Sequence, residues 1–179
     1  LTGDLRLVNV SEEEEEEIMI HHISIAARDP QRVARVIAEL WQTEALPFPP
    51  VPGAFIVIAD DEHGTAIEVS PQGTELVPGR SDDEEAQPTL NDKASPFTAT
   101  HAALSVPLSE ARVKEIAARE GWRAGTFWRG GVFQVIEFWI EGHLLLELLS
   151  PDMVQRYLDF LTTRNFAELF GFTRERVAA

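Results

Sequence analysis

The chain repeats itself at an offset of 79 residues, and this constrains its fold more than any other feature. His22-Ile-Ser-Ile-Ala lies over His101-Ala-Ala-Leu-Ser, and Thr65-Ala-Ile-Glu68-Val lies over Leu144-Leu-Leu-Glu147-Leu, at the same offset. Each half therefore carries a histidine and, 46 residues later, a glutamate. A repeat of this length predicts two like supersecondary units, packed as a pseudo-twofold pair.

Hydrophobic periodicity fills in the unit. Ile20–Ala27 alternates His22, Ser24 and Ala26 against Ile23, Ile25 and Ala27, the period of a strand. Asp29-Pro30 is a helix entry, and Val33, Val36, Ile37 and Leu40 carry an apolar stripe to Trp41. Leu46–Gly53 holds four prolines and reads as an edge strand or a loop. Phe55–Asp60 and Thr65–Ser70 form a hairpin around Glu62-His63-Gly64. In the second half, Thr100–Val106 reads as a strand and Ser109 caps a helix to Glu120. Strands follow at Arg123–Trp128, Phe133–Ile140 and Leu144–Leu149, then a closing helix at Pro151–Leu161 and an amphipathic tail at Asn165–Phe172. The predicted fold class is α+β: two βαβββ modules forming a concave mixed sheet, with helices on the outside. The expected organisation is an acidic, solvated leader at 1–18, modules at 19–71 and 99–151, a connector at 72–98, and a C-terminal helix and tail at 152–179. Met19 reads as a natural start.

Composition narrows the function. Fifteen basic and thirty acidic side chains give a net charge of −15. Ten of the acids sit in the runs Glu12–Glu17 and Asp82–Glu85, so the remaining body holds 20 acids against 15 bases. No basic surface for nucleic acid follows from this. There is no cysteine, which removes disulfides, thiolate metal sites and a cysteine nucleophile. No apolar run reaches the roughly 18–20 residues of a membrane span, and no signal-peptide pattern opens the chain. The reading is a cytoplasmic protein whose partner is a small molecule.

A glutamate centred in Ala-Ile-Glu-Val-Ser or Leu-Leu-Glu-Leu-Leu falls in a strand that should be buried, where it needs a partner, a proton or a cation. His22, Glu68, His101 and Glu147 would supply two nitrogen and two carboxylate donors to a divalent metal, which could be nickel, zinc, manganese, cobalt or iron. Such an ion would act as a Lewis acid, with Glu68 or Glu147 as the base that moves a proton next to a carbonyl. Ser24, Ala103 and Ser105 leave room beside the histidines for a substrate, and Arg129 and Glu137 are candidates for gripping it. Alternation turns His21 away, to the helix side. His63 and His143 occupy matching turns and are expected to be exposed. Trp41, Trp122, Phe166, Phe170 and Phe172 are read as packing residues. The edge beside the proline-rich segment suits a homodimer.

These stretches, His22-Ile-Ser-Ile-Ala-Ala-Arg-Asp29-Pro, Gly64-Thr-Ala-Ile-Glu68-Val, His101-Ala-Ala-Leu-Ser-Val and Leu-Leu-Leu-Glu147-Leu, resemble the vicinal oxygen chelate superfamily of glyoxalases, bleomycin-resistance proteins and dioxygenases. The resemblance spans about residues 19–151. It implies paired βαβββ modules around a metal, and the His, Glu, His, Glu set looks most like glyoxalase I, a metal-dependent isomerising lyase working on a substrate with adjacent oxygens. Two other expectations come with the resemblance: a drug-sequestering binder without metal, and a non-haem iron dioxygenase. Where glyoxalase I places an arginine late in its first strand, this chain has Ala26, so the glutathione site is not carried over.

Overall fold

The computed structural model describes residues 19–171. The leader at 1–18 and the end of the expected tail lie outside the described residues.

The first module runs β1 (His22–Ala27), α1 (Pro30–Trp41), β2 (Ala45–Pro47), β3 (Phe55–Ile58) and β4 (Ala66–Pro71). Its strands form one mixed sheet in the order β1-β4-β3-β2, with β1 parallel to β4 and the other pairs antiparallel. The proline-rich stretch holds to the edge, since proline cannot donate to a central ladder. A hairpin of β5 (Thr74–Val77) and β6 (Gln87–Leu90) follows within the expected connector, which the sequence signals did not separate from loop.

The second module repeats the pattern with β7 (Ala102–Ser105), α2 (Glu110–Glu120), β8 (Arg123–Arg129), β9 (Phe133–Ile140) and β10 (Leu144–Leu149), in the order β7-β10-β9-β8. Two helices follow, α3 (Pro151–Phe160) and α4 (Thr163–Phe170). The expected architecture of two like α+β units is therefore the observed one.

Helix starts follow from local chemistry. Asp29 caps α1 by accepting from Arg32 N at 3.0 Å, and Ser109 caps α2 by accepting from Arg112 N. The apolar stripe of α1 buries Val33, Val36, Ile37 and Leu40 against Ile25, Val57, Ile67 and Val69, one face of the first sheet. In the second module Val113 and Ile116 of α2 are buried in the same core as Ile136, Phe138, Leu146 and Leu148.

The modules meet through their helices. Glu39 of α1 pairs with Arg112 and Arg119 of α2, and Arg32 of α1 pairs with Glu120 at 2.8 Å while standing over the Trp122 ring. Glu141, in the β9–β10 turn, accepts from the backbone N–H groups of Arg28 and Asp29 at 2.7 and 2.9 Å. On the other face of the second sheet, Phe133 meets Tyr157 edge-on at 5.1 Å and Phe160 at 5.7 Å, so α3 lies over the face that carries Glu147. Phe166 extends this stack as expected of a packing residue. No helix among the described residues is long and apolar enough to cross a membrane.

Candidate functional site

Register places the repeated polar residues. In β1 and β4, Ser24 stands beside Glu68 and His22 beside Ala66, so His22, Ser24 and Glu68 share the sheet face turned away from α1. In β7 and β10, Ala103 stands beside Glu147, the equivalent position. In the first module the histidine and glutamate thus share one sheet face, whereas His101 precedes β7 and stands outside the register of the second sheet.

The two pairs do not come together. Among the described residues, no three His, Cys, Asp or Glu side chains stand close enough to hold one metal ion. Both carboxylates are also already engaged. Ser24 Oγ donates to Glu68 Oε2 at 2.6 Å. Arg129 donates from Nε to Glu147 Oε1 at 2.8 Å and from Nη2 to Glu137 Oε1 at 2.9 Å, and the Trp139 indole N–H donates to Glu137 Oε2 at 3.0 Å. The set His22, Glu68, His101 and Glu147 therefore does not fit a metal within this chain. Arg129, expected at a substrate rim, and Glu137, expected to line the cavity, hold each other and Glu147 across three neighbouring strands.

Electrostatics agree with that network. Burial lowers the Arg129 pKa, but its bonds to Glu147 and Glu137 outweigh burial and hold it above the ordinary arginine value. Burial raises Glu137, and the Trp139 and Arg129 hydrogen bonds reverse this, leaving it below the usual carboxylate range. Tyr157 is pushed up, first by burial and then by the Glu147 charge, so its phenol keeps its proton at neutral pH.

The larger cleft, about 850 Å³, opens between the modules and is lined by residues of both, among them His21, His63, His101, Ser105 and Tyr157. Ala103 lies in its wall, so two of the expected substrate-side positions, Ala103 and Ser105, line this cleft. Its first-module histidines are His21 and His63; His22, Glu68 and Glu147 do not line it. Two imidazoles here are alike in tautomer. His21 Nδ1 lies 2.6 Å from the His63 carbonyl oxygen, and His101 Nδ1 lies 2.9 Å from that of Ala99. A carbonyl can only accept, so each Nδ1 carries a proton, and in the neutral ring Nε2 is the nitrogen left to accept.

A smaller cleft of about 210 Å³ lies under the connector and takes Ser24, Ala26, Thr100 and His143. His143 was expected at an exposed turn and is buried, 4% exposed. Glu141 and Gly142 both adopt positive φ, and the turn folds the ring inward, where Nδ1 meets the Glu141 carbonyl at 3.1 Å. The periodicity carried no signal for this.

No protein-family model and no curated protein sequence matches the chain. Among solved structures it is similar to the fosfomycin resistance protein FosX from Listeria monocytogenes, at a TM-score of 0.50 and 14% identity, over 78% of this chain and 98% of that one. It is also similar to FosX from Mesorhizobium loti, at a TM-score of 0.45 and 14% identity, over 79% of this chain and 98% of that one. The Listeria protein has also been crystallised with Mn(II) and sulfate. At this identity the likeness is one of fold.

Proposed function

We propose, from the vicinal oxygen chelate fold that this chain has, that it is an enzyme of the lyase or isomerase kind. It takes a small substrate with neighbouring oxygen atoms into the cleft between its modules and moves a proton on it. The observation that carries this reading is the pair of imidazoles, His21 and His101, each held through Nδ1 by a backbone carbonyl and both lining one cleft with Tyr157.

The roles follow from that geometry. An unprotonated Nε2 removes a proton from carbon next to a carbonyl. The proton on Nδ1 stays with the backbone carbonyl, which steadies the imidazolium that forms. Tyr157 donates to the developing oxyanion. Ala103 and Ser105 keep the wall low enough for the substrate to lie against β7. Glu68 and Glu147, read from the sequence as bases, have their carboxylates turned to Ser24 and Arg129 and take no part in this scheme.

Incubating the protein in deuterated water with α-hydroxycarbonyl and 2-oxo compounds tests the reading. Carbon-bound deuterium should appear in one class of compound, and should be lost in His21→Gln and His101→Gln. Binding without exchange in every class would leave the second reading, a protein that sequesters a small molecule. That reading is favoured by the saturation of both strand glutamates by the chain's own donors.

A divalent ion would require donors from two copies of the chain, His22 and Glu68 of one facing His101 and Glu147 of another. Native mass and elemental analysis bear on that arrangement together. The edge strand β2, where Leu46 is 47% exposed, is the surface through which a homodimer would join.

A further inference from the structure

Glu137 and Glu147 are directly paired across the antiparallel strands β9 and β10, on one face. Two carboxylates at such positions repel, and both are mostly buried, at 19% and 14% side-chain exposure. The first module has no such conflict, because Ile56 stands opposite Glu68. A cation must sit between the acids of the second module. The only guanidinium that reaches both among the described residues is Arg129, on the adjoining strand β8, which meets the two carboxylates with one Nη2.

We infer that Arg129 is the resident cation of this carboxylate pair, occupying the place beside Glu147 that a divalent metal would take, so that the second module keeps its fold and its charge balance without metal. The geometry for this is complete within one chain. Nε and Nη2 address Glu147, Nη2 addresses Glu137, and Trp139 occupies the remaining Glu137 oxygen. A metal would have to displace an arginine whose charge is held by two partners, and would gain no third His, Cys, Asp or Glu donor from the described residues in return. The inference is independent of what the cleft binds, so it stands or falls apart from the proton-transfer reading.

The test compares wild type, Arg129→Gln and the double variant Arg129→Gln/Glu137→Gln by thermal melting, each with chelator and with millimolar Mn(II), plus elemental analysis of dialysed wild type. Wild type should carry no stoichiometric divalent ion and melt at the same temperature in both buffers. Arg129→Gln should melt lower in chelator by about 5 °C or more and recover part of that with Mn(II). The double variant, with the repulsion removed, should melt close to wild type without metal. If Arg129→Gln does not fold, the double variant alone carries the comparison, and its failure to fold overturns the inference. One divalent ion per wild-type chain, lost in Glu147→Gln, also overturns it, as does an Arg129→Gln protein as stable as wild type in chelator.

Discussion

Ser24 and Glu68 lie side by side on the parallel strands β1 and β4, with the serine hydroxyl donating to the carboxylate at 2.6 Å. The equivalent neighbour of Glu147 is Ala103, which has nothing to donate. The two halves have therefore solved one problem differently. A strand carboxylate needs a donor, and the first module supplies it from the next strand while the second reaches across two strands to Arg129. Ser24→Ala should cost about 1 kcal/mol, since the bond is charge-assisted but partly open to water. Ala103→Ser should leave stability unchanged, because Glu147 already has its partner. Urea denaturation of the two variants checks the asymmetry.

His21 and His22 are adjacent, and their replacement should have unequal effects. His21 lines the inter-module cleft, while His22 points to the opposite sheet face. Loss of the general base in His21→Gln should lower kcat/KM for proton exchange by about 10²-fold or more. His22→Gln should change it by less than about threefold, which is under 1 kcal/mol of barrier. Exchange rates measured on the two variants under identical conditions give the comparison; equal losses would move the site to the His22 face.

Acid should weaken the fold in a defined direction. Burial alone would raise Glu137 and Glu120. For Glu137 the Trp139 and Arg129 bonds, and for Glu120 the Arg32 and Arg119 bonds, leave both below the usual carboxylate range. The unfolded chain then binds more protons than the folded one as pH falls, so stability rises with pH through this window. The contribution is complete above the ordinary glutamate value of about 4.3 and is lost as pH drops through the lower, folded-state values. Glu137→Gln should flatten the slope of melting temperature against pH below about 5, with little change in that slope at pH 7.

Most of the architecture was legible because periodicity and the duplication reported the same thing. Phe133–Ile140 and Leu144–Leu149 are strands at the bounds their alternation gave, and α1 ends at Trp41 where its apolar stripe ends. The sites were legible only to the level of a sheet face. The repeat predicts each histidine and glutamate on like faces, but it carries no information on whether those faces meet. That depends on how α1 and α2 dock, through Glu39, Arg32 and their partners, which are spread along the sequence without a pattern. The engagement of Glu147 was hidden for a similar reason. Arg129 reads as a hairpin residue beside Gly130-Gly131, and only strand register reveals that it spans two acids. His21 was set aside by alternation, which correctly turned it from His22 but could not see the cleft on its own side.

The docking of the modules makes the last prediction. Glu141 reaches from the β9–β10 turn to two consecutive backbone N–H groups, those of Arg28 and Asp29, at the start of α1. These donors stand where the helix dipole leaves positive charge, and a carboxylate there is doubly favoured. In Glu141→Ala both amides lose their acceptor and must find water at the module boundary. The expected cost is about 1–3 kcal/mol. A loss confined to the boundary would appear as faster hydrogen exchange in residues 28–33, with strands β9 and β10 still protected. Uniform acceleration across both modules would mean that Glu141 supports the whole core rather than the junction. Glu141→Gln separates charge from hydrogen bonding: its amide oxygen can serve only one amide well, so protection at residues 28–33 should fall between wild type and Glu141→Ala.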